Sequence, residues 1–99
     1  MKGMKTRPGI VLVEIFGVYL LAADEEARKE CPYLRQLNEI GAFIWRRLEA
    51  GKGTCDIISL ILEKYEVPAS FDLEADLKGF MRLLQKEHYL ISEEDDHEI

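Results

Sequence analysis

The sequence predicts an α+β domain, a winged helix-turn-helix with an N-terminal β-hairpin, a third strand and three helices. Three observations predict it. Two short β-branched and aliphatic runs, Ile10 to Phe16 and Val18 to Ala23, flank a single Gly17. Three amphipathic stretches follow, separated by the breaks Gly51-Lys52-Gly53 and Val67-Pro68-Ala69. A last run, Glu87-His88-Tyr89-Leu90-Ile91, reads as a closing strand.

The hairpin comes first. Ile10 to Phe16 is bounded by Pro8-Gly9 and Gly17, so it is short enough to be a strand, and Gly17 suits a tight turn into Val18 to Ala23. Residues 24–30, with acids and bases mixed, form a charged connector with room for one helical turn. Cys31 to Leu37 is the third strand. Pro32 cannot donate to a ladder, which places this segment at a sheet edge or a strand's start. An edge strand keeps a row of backbone donors and acceptors unpaired.

The stretch Leu37 to Trp45 joins that strand to the first helix and is expected at the centre of the core. Asn38 is suited to cap the helix by accepting a backbone N–H from its first turn. Ile40, Phe43, Ile44 and Leu48 share one face, which Trp45 widens. The helix runs to Ala50, and Gly51 suits a left-handed C-cap. Thr54 is the cap expected for the second helix, whose face is Ile57, Ile58, Ile61, Leu62 and Tyr65 and whose end lies near Glu66. Ser70 or Asp72 opens the third, from about Asp72 to Lys86, with Asp72, Glu74 and Asp76 at the positive end of its dipole. Leu73, Leu77, Phe80 and Leu84 cluster on that helix, with Met81 on one flank and Leu83 on the other. The arc spans about 160°, wider than a one-sided surface helix needs. Either it packs on both the sheet and the other helices, or one flank lines an open groove. Lys78, Arg82 and Gln85 continue the flank beyond Met81.

Ninety-nine residues, 47% apolar and 32% charged, make one globular domain. We assign it residues 1–92. Five of the 19 acids lie in residues 93–98, so 93–99 is a solvated acidic tail and the rest is nearly neutral despite a formal charge of −6. No basic face is concentrated for nucleic acid, no apolar run is long enough to span a membrane, and no cleavable targeting segment is evident. A cytoplasmic location is expected. Cys31 and Cys55 belong to no CxxC or Cys/His cluster and are expected as free thiols. His88 and His97 have no second ligand at metal spacing, and there is no phosphate-binding Gly-rich loop or nucleophile elbow. Neither an independent enzyme nor a cofactor is expected.

The ordered combination of Tyr33-Leu34-Arg35-Gln36-Leu37-Asn38-Glu39-Ile40-Gly41-Ala42-Phe43-Ile44-Trp45, the Gly51 break, Tyr65-Glu66-Val67 and Asp76-Leu77-Lys78-Gly79-Phe80-Met81-Arg82-Leu83-Leu84 resembles the PqqD family. The pattern covers about Tyr33 to Ile91. His88-Tyr89 stands where many of its members have Gly before the last strand, and the acidic tail is outside the pattern. The resemblance implies a winged-helix peptide-recognition module (a RiPP recognition element). Such a chaperone holds the leader of a ribosomally made precursor peptide and presents it to a modifying enzyme, often of the radical SAM type. It implies that the leader adds as a strand beside the third strand, in the groove shared with the third helix. Carried onto this chain, the peptide-binding residues are Pro32, Tyr33, Leu34, Arg35, Gln36 and Leu37 from the strand. Leu77, Lys78, Met81, Arg82 and Gln85 are those from the helix. Two other readings compete. A DNA-binding winged helix fits the topology, but Asp72, Glu74 and Asp76 would repel phosphate. A structural subunit of a larger enzyme, or a homodimer paired through exposed strands, also fits.

Overall fold

The computed structural model describes residues 4–92, so the acidic tail lies outside the described residues. Five strands and three helices run in the order β1 (Met4–Thr6), β2 (Ile10–Ile15), β3 (Val18–Ala23), β4 (Arg35–Leu37), α1 (Glu39–Glu49), α2 (Thr54–Lys64), α3 (Leu73–Lys86) and β5 (Leu90–Ser92). The strands form two antiparallel sheets, β2-β3-β4 and β1-β5. This is the expected α+β class, and the connectivity is compatible with a winged helix.

The β2–β3 hairpin turns through Phe16 and Gly17, both at positive φ (51° and 80°), while Ile15 pairs with Val18. A two-residue loop with both residues left-handed matches the right-handed twist of the strands. Phe16 is therefore a fully exposed turn residue and not the strand's last. Ile10 and Leu21 point inward and are buried. The opposite face, Val11, Val13, Ile15, Val18, Leu20 and Ala22, is apolar throughout and has no buried residue. In the connector, Ala27 to Lys29 form a single 3-10 turn, and Ala27 is buried.

Asn38 caps α1 as expected, its side chain accepting from Gly41 N at 2.7 Å. Gly51 closes the helix at φ 82°, its N–H donating to Leu48 O and that of Lys52 to Arg47 O, which satisfies two end carbonyls. Two boundaries differ from the sequence reading, both of α2. Thr54 is the first residue of α2, with Gly53 at the cap position and no side-chain cap. That helix ends at Lys64, because Tyr65 is already extended. Of the two caps expected for α3, Asp72 is the one used, its side chain accepting from Ala75 N at 3.1 Å.

The core forms where α1 meets both sheets. Trp45 is 0% exposed, among Leu21, Ile57, Ile61, Leu77, Leu84 and Leu90. The expected central position of the Leu37–Trp45 stretch holds. β1 was not anticipated; it pairs with β5, joining the two ends of the described chain.

Candidate functional site

β4 is shorter than the predicted strand. It begins at Arg35, and Cys31 to Leu34 lead into it without strand pairing. The reason lies at the far end of α3, where this lead-in is strapped down. The Cys31 thiol donates to the carbonyls of His88 (3.3 Å) and Glu87 (3.6 Å). The Tyr89 hydroxyl donates to Tyr33 O at 2.7 Å, and Arg35 Nε lies 3.0 Å from Glu87 Oε1. Burial pushes both the Cys31 thiol and the Tyr89 phenol up from their ordinary pKa values. Both therefore stay protonated and able to donate at neutral pH.

The strap depends on how α3 ends. His88 adopts φ 75°, and its N–H donates to Gln85 O while that of Tyr89 donates to Leu84 O. This is the termination α1 achieves with Gly51, here made with a histidine. It also explains why β5 starts at Leu90 and not at Glu87, since residues 87–89 complete the cap. Arg7 adds a further tie, its Nε donating to His88 O at 2.6 Å.

Held this way, β4 stands beside α3 with an open cleft of about 310 Å³ between them. β4 contributes Arg35, Gln36 and Leu37, and the first turns of α1 contribute Asn38, Ile40, Gly41 and Ile44. Leu73, Asp76, Leu77, Phe80 and Leu83 of α3, with Phe71 ahead of it, make the opposite wall. Gly41 lies in the floor. A Cβ there would stand 3.1 Å from Asn38 Oδ1, tight against the cap, and touch Phe80 Cζ at 3.4 Å. One edge of β4 pairs with β3, with Tyr19 opposite Leu37 and Leu21 opposite Arg35; among the described residues its other edge pairs with no strand.

Nine of the eleven sequence-derived site residues border three hollows, and two border none. Arg35, Gln36, Leu37 and Leu77 line the cleft. Pro32, Tyr33 and Leu34, with Arg35, line a separate hollow against Glu87, His88 and Tyr89, and Tyr33 and Leu34 are exposed. Arg82 and Gln85 border a shallow depression with Gly79, Leu83, Lys86 and His88. Lys78 pairs with Glu74 on the helix surface, and Met81 is half-buried against the core. Neither lines the cleft. The open flank of α3 is thus the Leu83 side, while the Met81 side packs inward. Sequence reasoning missed Asn38, Ile40, Gly41, Ile44, Phe71, Leu73, Asp76, Phe80 and Leu83 as cleft residues. A glycine inside an otherwise strong helix was the one local signal available.

Residues 33–90, more than half of the chain, match the family model for coenzyme PQQ synthesis protein D. The chain belongs to the PqqD family. Two solved structures have this PqqD fold. TbiB1 in complex with the TbiA(beta) leader peptide is 27% identical, with a TM-score of 0.69 over 87% of this chain and 93% of that one. Lasso peptide synthetase B1 complexed with the leader peptide is 23% identical, with a TM-score of 0.70 over 89% of this chain and 96% of that one, a likeness of fold. No curated protein matches this PqqD-family sequence. No group of three or more His, Cys, Asp or Glu able to hold a metal occurs among the described residues, and none of their helices is long and apolar enough to cross a membrane.

Proposed function

We propose that this protein binds the leader of a ribosomally made precursor peptide as an added strand and presents it to a modifying enzyme. The observation that carries the reading is the edge of β4 that no described strand pairs with, bordering an apolar cleft walled by α3. A guest strand on that edge gains main-chain hydrogen bonds along β4. Alternate side chains enter the cleft, which supplies specificity. Membership of the PqqD family and a 27%-identical structure holding a leader peptide support it. The recognition unit we propose is residues 1–92, without the acidic run at 93–98.

The protein does this in the cytoplasm, without chemistry of its own, cofactor or nucleic acid, for a radical SAM or other peptide-modifying enzyme. Contact with that enzyme, or with a second copy in a homodimer, has a surface available in the outward apolar face of the hairpin and Phe16 at its tip. Light scattering separates the two partners. Titrating isotope-labelled protein with leader segments of candidate precursor peptides tests the binding reading. The expected amide shifts fall on residues 35–37 and on the cleft side of α3. Shifts confined to α2 and the hairpin tip would overturn it.

A further inference from the structure

Resting on the leader-binding reading, we infer that Phe71 sets the size of the apolar leader side chain that the cleft accepts. Its ring is a fixed lip at the end of the cleft where α3 begins.

The apolar residues that line the cleft differ in how far the chain itself covers them. Those on β4 and α1, with Leu73, Leu77 and Phe80, are buried in the core or half-buried against it. Phe71 and Leu83 are the exposed ones, at 46% and 39%. Leu83 is held by the helix that carries it. Phe71 lies in no helix or strand, so its place depends on the backbone on either side.

Both sides are tied. The Phe71 N–H donates to Pro68 O at 3.0 Å, which closes a turn over residues 68–71, and Pro68 enters that turn with its own φ locked by its ring. Asp72 follows at once as the cap of α3, its side chain accepting from Ala75 N and its carbonyl from Asp76 N. The phenyl keeps only its two side-chain torsions, so little entropy is lost when a guest settles against it. A guest side chain long enough to reach the ring buries apolar area on both. A larger one meets a wall whose backbone can withdraw only by opening the turn or the cap. Removing the ring would therefore admit a bulkier side chain while taking contact from a smaller one. Phe16, the other exposed phenylalanine, borders no part of the cleft and provides a matched control.

The test selects a display library of random peptides on the full chain, with Leu83→Asp as a blocked-cleft control. In one enriched peptide, the apolar position most sensitive to alanine is taken as the anchor, and the peptide is made with Leu and with Trp there. The ratio of the Trp to the Leu affinity on the full chain is the reference. On Phe71→Ala this ratio should rise about tenfold, the Trp peptide gaining while the Leu peptide loses. A gain for the bulkier peptide is not what a damaged fold produces. Phe71→Leu should fall between, and Phe16→Ala should leave the ratio unchanged, with circular dichroism confirming the fold of each variant. A ratio that is unchanged or lower on Phe71→Ala, or that rises equally on Phe16→Ala, overturns the role of Phe71 and leaves the cleft as the peptide site. No enrichment on the full chain above the Leu83→Asp control overturns both.

Discussion

At Gly9 the backbone sits at φ 90°, and a Cβ built there would lie 2.6 Å from Asp24 Oδ1. Asp24 cannot retreat cheaply, since that oxygen accepts from Ala27 N at 2.8 Å and its own N–H donates to Gly9 O. Gly9→Ala is therefore expected to cost about 2 kcal/mol or more, read as a lowered urea midpoint. His88 is the opposite case, a side chain where glycine would be relaxed. Its ties to Arg7 and Cys31 run through its carbonyl, so they survive a change of side chain. His88→Gly should raise the unfolding free energy by about 0.5–1 kcal/mol, the relief of left-handed strain exceeding the added chain entropy. A lower midpoint would mean that the imidazole contributes packing beyond the turn. At this scale much was legible beforehand. Asn38, Gly51 and Asp72 act on backbone groups within three residues of themselves, so their roles can be read from neighbours alone.

Elements were legible by type and less so by rotation. The apolar arc of α3 is centred near Leu77 and Leu84, both buried, and periodicity identifies that centre. It does not say on which side β4 will stand, because that depends on contacts distant in sequence. The Cys31 and Tyr89 ties, each spanning more than fifty residues, place β4 by the Leu83 flank. They also shorten the strand, which Pro32 and the alternation of Tyr33 to Leu37 alone could not reveal. β1 was missed because three residues carry no measurable period. Two substitutions separate the flanks of α3. Leu83 is 39% exposed, so Leu83→Asp should leave the fold intact and weaken leader binding about tenfold or more by placing a charge in the apolar wall. Met81→Asp should instead cost about 2 kcal/mol or more of stability, since its side chain packs against the core. Calorimetric titration with a leader peptide, beside urea unfolding, checks both. Equal binding losses with equal stability would refute the assignment of flanks.

Across the whole molecule, stability and the shape of the cleft depend on the same buried donors. Cys31 and Tyr89 have pKa values raised by burial, so the folded chain keeps their protons after the unfolded chain has begun to lose them. Their contribution is fully present below the unfolded values and is lost as pH rises through the folded ones. The unfolding free energy is thus expected to fall above about pH 9, first through the thiol and then the phenol. Urea titrations across the alkaline range check this, and Cys31→Ala should flatten the first part of the decline. A profile level to pH 11 would contradict it. The single indole of the chain offers a convenient way to follow such changes. Trp45 is sealed in the core and is not among the residues lining the cleft. Its fluorescence should shift to the red when the protein opens and barely change when a peptide docks. Folding and occupancy can then be watched in one sample, the first by intrinsic emission and the second by a dye on the guest.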